Sequence, residues 1–276
     1  MIDIDDSRGD QGSGIGGTAP PERVWSRPVV RRLAFFLLLA AGWEALFRLG
    51  LWPPYLFPSP SGVARTLARG FENRTFIIGI AVSMRRLLVG FVLSAIAGTL
   101  LGLGLGRVRL LDQTLGALVL GLQALPSICW LPLALLWFGL GEQAILFVVV
   151  MGALLAITLS TQAGVKNSDP VYLRAALNLG ARGWRLYLLV ILPAALPAII
   201  SGMKLGWSFA WRSLMAAELL YVSLGLGQLL MMGRELNDMN QVVAVMLIII
   251  AIGLVVDRLV FTPLETRVRA RWGLGE

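Results

Sequence analysis

No charged residue stands between Asp112 and Glu142, and Pro126 and Pro132 fall inside that run. A membrane crossing takes about 20 mostly apolar residues in helical form, because lipid offers no partner to an unpaired backbone amide. The run is too long for one straight helix in a bilayer and too apolar for a loop in water, so it predicts a kinked or broken span. Other charge-poor stretches recur at about 33–51, 87–106, 143–165, 197–221 and 241–261. Together they predict an all-α, polytopic membrane protein with about six transmembrane helices. Composition agrees: 57% of the 276 residues are apolar and 14% charged, against about a quarter charged in soluble domains.

What the chain lacks narrows its chemistry. It has no histidine and one cysteine, Cys129. Imidazole is the usual proton shuttle near neutral pH and a common metal and haem ligand, so a zinc protease, a Ser-His triad, a haem carrier and a histidine proton relay are all excluded. A single thiol can form neither an internal disulfide nor a thiolate cluster, and Cys129 is expected to be a small buried apolar residue. No catalytic residue, metal ligand or cofactor is predicted. The net charge of +8 fits basic loops beside an anionic leaflet better than a nucleic-acid surface.

Residues 1–22 are rich in Gly and Asp without an apolar period. With the basic cluster Arg23, Arg27, Arg31 and Arg32 they predict a disordered cytoplasmic tail over 1–32. Gly12, Gly14 and Gly17 have GxGxxG spacing, but no strand precedes them, so no dinucleotide loop is expected. The predicted transmembrane domain covers 33–265 and a second basic tail covers 266–276. Within the first span Glu44 and Arg48 can neutralise each other at i,i+4. Residues 61–86 predict a surface helix leading into the second span, where Gly98, Gly102 and Gly106 give the small-residue spacing that lets membrane helices approach closely. Six spans put both termini on one side. Basic residues near the span ends favour the cytoplasmic side for both, with Arg107, Arg109, Lys166, Arg182, Arg185, Arg267, Arg269 and Arg271 inside. Arg65, Arg69, Arg74, Arg85, Arg86 and Arg234 then lie outside.

The longest internal connection spans about 164–193. Asp169 can cap a helix whose first residue is Pro170, since Pro lacks only an N–H that would be unpaired there. Ala175 and Ala176 give that short cytoplasmic helix a smooth face, and Gly180 allows a turn or a close approach. Trp184, Leu188 and Val190 return the chain to the bilayer before Pro193. A knob of this kind, held between spans, is either an ordinary interfacial loop helix or a grip by which a partner protein moves the membrane helices.

The residues RAALNLGARGWRLYLLVILP, from Arg174 to Pro193, resemble the EAA loop of importer-type ABC permeases. Ala175, Ala176, Gly180, Leu192 and Pro193 stand at the family spacing. Arg174 replaces the usual Glu, and Val190 the usual Ile, which puts one polar contact to the ATPase in doubt. LFPSPSGV, LPSICWLPLALLWFGLGE and AWRSLMAAELLYVSLGLGQLL resemble the nitrate/sulfonate/taurine subgroup, and the likeness runs from about residue 33 to the C-terminal end. It implies an inner-membrane permease with a cytoplasmic coupling helix that pairs as a homodimer. The same likeness implies two cytoplasmic ATPase subunits docked at Arg174, Ala175, Ala176, Gly180 and Pro193. Substrate from an extracytoplasmic binding protein would be a small anion of the nitrate, sulfonate, taurine or bicarbonate class. Lys166 and Lys204 are the only lysines and neither lies in GxxxxGK[ST], so ATP hydrolysis is expected in a partner.

Charges inside spans cost about 2.5 to 3.5 kcal/mol each on insertion scales and so face protein or water. In the fifth span Lys204, Ser208, Trp211, Met215 and Glu218 fall on one stripe at 100° per residue, flanked by Arg212. This stripe either lines a cavity, where Lys204 and Arg212 would favour an anion, or is tied up structurally with Glu218 or Glu44. Gln123, Ser127 and Trp130 in the third span are further pathway candidates; packing around a proline kink is the alternative. A secondary transporter would need ion-coupling carboxylates near the midplane. An intramembrane enzyme would need a nucleophile with a base, or a metal. The sequence favours neither.

Overall fold

The computed structural model describes residues 28–53, 55–220 and 223–272. The chain divides after Leu51 into two compact units. In the first, α1 (Pro28–Arg48) carries Arg31, Arg32, Glu44 and Arg48 in 21 residues, and Arg48 Nε donates to Glu44 Oε1 at 2.9 Å, the predicted i,i+4 pair. Residues 28–32, assigned from sequence to the tail, open this helix; residues 1–27 lie outside the described residues.

The second unit begins with α2 (Pro60–Glu72), whose Ser59 cap accepts from Gly62 N at 3.0 Å and whose first residue is Pro60. The helix expected over 61–86 is in fact two. Arg74 takes a left-handed φ of 62°, which ends α2, and α3 (Thr75–Arg107) carries Arg85 and Arg86 inside a long helix. Next come α4 (Arg109–Gln123) and α5 (Ser127–Phe138), bent by 104° at a short break. The prolines explain the break, as expected for the charge-free run: Pro126 is extended at ψ 136°, a conformation no helix continues. The remaining elements are α6 (Glu142–Lys166), α7 (Pro170–Asn178), α8 (Trp184–Leu220), α9 (Leu226–Glu235) and α10 (Met239–Arg271).

Among the described residues no strand occurs. Among these residues four helices, α3, α6, α8 and α10, are long and apolar enough to cross a membrane, or five spans if the bent α4–α5 pair is one. The fifth span, expected from Pro197, starts earlier. A π-helical turn at Tyr187–Ile191 lies just before Pro193, and a second at Asp257–Phe261 lies just before Pro263. Such widened turns absorb the clash between a proline ring and the carbonyl four residues back, so both helices continue.

Helix α6 packs between α3 and α8. A Cβ on Gly98 would lie 2.9 Å from the Leu154 carbonyl oxygen, and one on Gly102 2.6 Å from that of Thr158. Gly106 meets Val165 in the same way, so the predicted small-residue seam is the α3–α6 contact. On the other face Gly202 and Gly206 of α8 lie against Ser160 and Ile157. With backbones this close the three helices form one rigid slab. At one end lies α7; at the other lie the start of α3, the end of α8 and α9.

Candidate functional site

Helix α7 forms as the sequence dictates. Asp169 accepts from Val171 N at 2.8 Å and Pro170 follows. Its C-terminus is closed by Gly180 N donating to Leu177 O at 3.0 Å and Ala181 N to Ala176 O at 2.9 Å, with Gly180 at φ +83°. That is the paired-bond cap in which glycine takes the left-handed position. The Ala175–Ala176 face divides. Ala176 is buried with Leu186 and Ile191, whereas Arg174 and Ala175 are exposed. Outside, Tyr172, Ala175, Leu179, Leu189, Pro193 and Trp272 line an open groove of about 280 Å³. Leu179 is 88% exposed and Trp184 68%, so the knob is anchored on one side and apolar on the other. Lys166 Nζ donates to Asp112 Oδ1 at 2.6 Å, tying α6 to α4 beside it.

A second cavity of about 280 Å³ lies at the α4–α5 break, lined by Gln123, Ser127, Trp130, Met151, Leu155, Phe209 and Arg212 among others. The third-span candidates thus share one cavity with a single fifth-span candidate, Arg212. Arg212 lies 4.8 Å over the Phe209 ring and its Nε donates to Ser208 O at 3.1 Å. Trp130 packs edge-on against Phe147.

The predicted fifth-span stripe is not a single surface. Ser208 and Arg212 are exposed, but Trp211 is buried. Lys204 Nζ lies 3.4 Å from both Asp257 and Glu265 on α10, and among the described residues Glu218 does not pair with it. Glu218 is 1% exposed. It accepts from Arg86 Nη1 at 2.9 Å, from Ser83 Oγ at 2.7 Å and from Gly227 N at 3.0 Å, so it locks the end of α8 to α3 and α9. Sequence reasoning missed Arg86, Asp257 and Glu265 as partners. The available signal was that an arginine about three turns inside a long helix of a membrane protein needs a counter-ion. Cys129, expected buried, is exposed on the α5 side of the break. Among the described residues no group of three Cys, Asp or Glu could hold a metal ion.

The family model described as "binding-protein-dependent transport system inner membrane component" matches residues 90–269, which hold both α7 and the cavity. The chain belongs to this family of importer-type ABC permeases. The permease is 33% identical over 241 residues to an ABC transporter permease protein of Methanocaldococcus jannaschii, covering 86% of this chain and 90% of the relative. It is 30% identical over 256 residues to an aliphatic sulfonates transport permease protein, SsuC, of Escherichia coli K12 (92% and 95% covered). Against the taurine transport system permease protein TauC of the same organism it is 28% identical over 237 residues (84% and 86%). The permease is a transport subunit rather than an ATPase, and its spans belong in the membrane.

Proposed function

We propose that this permease carries a small oxyanion of the sulfonate, taurine, nitrate or bicarbonate class across the cytoplasmic membrane as one of two identical copies. A separate cytoplasmic ATPase dimer drives it, and an extracytoplasmic binding protein supplies the substrate. The observation that carries the reading is α7: a capped helix anchored through Ala176, with Tyr172, Ala175 and Leu179 left open around a groove. A knob with no reactive group and an uncovered apolar face is suited to be gripped. Arg174 is exposed on it and would offer the ATPase a cation at the position of the EAA loop's usual Glu.

Two further features support the division of labour. Lys166 and Lys204, the only lysines, are engaged with Asp112 and with Asp257 and Glu265, so neither serves a nucleotide. The names of the taurine and sulfonate permeases support an anionic substrate. The translocation path is assigned to the cavity at the α4–α5 break, with Gln123, Ser127, Trp130 and Arg212, and to the exposed Ser208 beside it. Lys204, Trp211 and Glu218 hold helices together. ATP binding would draw the motor pair closed and carry both α7 helices with it. Because α3, α6 and α8 pack as a slab, the motion passes to the far end as a rigid-body swing. This orientation puts α7 and both termini in the cytoplasm.

The test is to express the tagged chain with its operon neighbours, solubilise it gently, and identify what co-purifies. An equimolar ATPase whose hydrolysis rises on adding the binding protein is expected. A well-folded chain that runs alone and transports on an ion gradient would replace this reading with that of a secondary carrier.

A further inference from the structure

The cations inside the spans of this molecule are not alike. Arg86 is sealed against Glu218, and Lys204 sits between Asp257 and Glu265. Arg212 is exposed and, among the described residues, pairs with no carboxylate; its contacts are the Ser208 carbonyl through Nε and the Phe209 ring. Among the described residues neither terminal amino group of its guanidinium has a protein acceptor. A cation at span depth without a counter-ion is retained only where water or a ligand solvates it, and Arg212 lines the cavity at the α4–α5 break.

The lining of the cavity combines polar and apolar side chains. The Gln123 amide and the Ser127 hydroxyl line it with Arg212, and among the described residues neither makes a side-chain hydrogen bond. Met151, Leu155 and Phe209 line it as well, the Phe209 ring directly beneath the Arg212 guanidinium. Three uncommitted donors, one of them a planar fork suited to two oxygens of one anion, therefore converge beside aliphatic and aromatic surface.

We propose that Arg212, Gln123 and Ser127 form a subsite for the oxyanion head of a small organic anion, a sulfonate or carboxylate, whose short tail lies on the apolar part of the lining. This rests on the permease reading and deepens it by giving the charge selection to one residue. A single cation with two neutral donors makes a shallow site, as conduction requires: attractive enough to fill and weak enough to empty. Lys204, the other cation the sequence offered for this task, is already neutralised.

The subsite can be tested without transport. In a Cys129→Ala background, with the chain assembled with its ATPase in membranes, Ser127→Cys serves as a reporter. Two methanethiosulfonate reagents label it, one bearing an ethylsulfonate and one a trimethylammonium group. The sulfonate reagent is expected to react faster. Arg212→Gln should lower its rate relative to the cationic reagent by about tenfold, the scale of local concentration set by a focused charge, while Arg212→Lys keeps the bias. A ratio that Arg212→Gln leaves unmoved overturns the proposal, as does a cysteine that neither reagent reaches. If Ser127→Cys fails to assemble, Gln123→Cys is the second reporter with the same two outcomes. Loss of the ATPase from the parent complex would count against the permease reading; an unbiased cysteine in an intact complex counts against the subsite alone.

Discussion

The Arg86 guanidinium donates to the Glu218 carboxylate at 2.9 Å with the two side chains 5% and 0% exposed. The same carboxylate accepts from Ser83, whose hydroxyl in turn accepts from Leu226 N at 2.9 Å, so one buried charge fixes the start of α9 against α3 and α8. Arg86 also reaches Ser223 and the Leu224 carbonyl.

Removing one partner of a buried pair costs about 3 to 5 kcal/mol, and without Glu218 the buried Arg86 keeps only the more distant Glu142 carboxylate, 3.7 Å from its Nε. Glu218→Ala is therefore expected to lower the thermal midpoint of the detergent-solubilised protein sharply. The double variant Arg86→Met, Glu218→Leu should recover much of the loss. Thermal unfolding of all three species checks this, and an unaltered midpoint for Glu218→Ala would contradict it.

Lys204 neutralises Asp257 and Glu265 across α8 and α10, and Arg269 helps with Glu265 at 3.4 Å. Lys204→Ala should therefore reduce the yield of assembled protein, and adding Asp257→Asn should restore it. A Lys204 that lined the path would instead give reduced uptake with normal assembly. Size-exclusion yield measured beside uptake separates the two: lost uptake at full yield would return Lys204 to the path.

Gly102 is a steric requirement. A Cβ there would lie 2.6 Å from the Thr158 carbonyl oxygen and 2.5 Å from Thr161 Cβ, and neither backbone nor β-carbon can give way cheaply. Gly102→Ala is expected to destabilise by about 1 to 3 kcal/mol, the usual scale of overpacking. At Gly121 no atom lies within 4 Å of an added Cβ, so Gly121→Ala should be neutral or gain up to about 1 kcal/mol of helix propensity. Thermal midpoints of the two variants compare them directly.

Local signals were legible in the sequence and distant pairings were not. Asp169, Pro170 and Gly180 announced both ends of α7 because a cap and a left-handed turn each need a particular residue. Pro126 announced the break, and Gly98, Gly102 and Gly106 the seam. Arg86 and Glu218 are 132 residues apart, and no periodicity joins them, so Glu218 was placed on a stripe that its burial rules out. The helix starts at Thr75 and Trp184 were missed for different reasons. A left-handed Arg74 is rare, and a π-helical turn that rescues a proline leaves no mark in the hydropathy pattern.

Gly180 tests the cap of α7. Its φ of +83° costs a residue with a Cβ about 1 to 2 kcal/mol, while the space around it is open. Gly180→Ala should weaken the α7 C-terminus and lower transport per ATP hydrolysed. Gly180→Trp should abolish transport and release or uncouple the ATPase, with membrane insertion intact for both. Normal coupled uptake by the tryptophan variant would show that nothing docks there.

Leu179, which follows the last residue of α7 and is 88% exposed, gives the sharpest measurement of whether this knob is where the motor holds the permease. A photo-crosslinking amino acid at position 179, irradiated in membranes of cells expressing the whole operon, should join the chain to the ATPase subunit in high yield, and ATP should change that yield. The same group placed at Leu136 on α5, also exposed, should capture no ATPase. Adducts to the ATPase from Leu136 but none from Leu179, or none from any exposed position of α7, would contradict the coupling role of this helix.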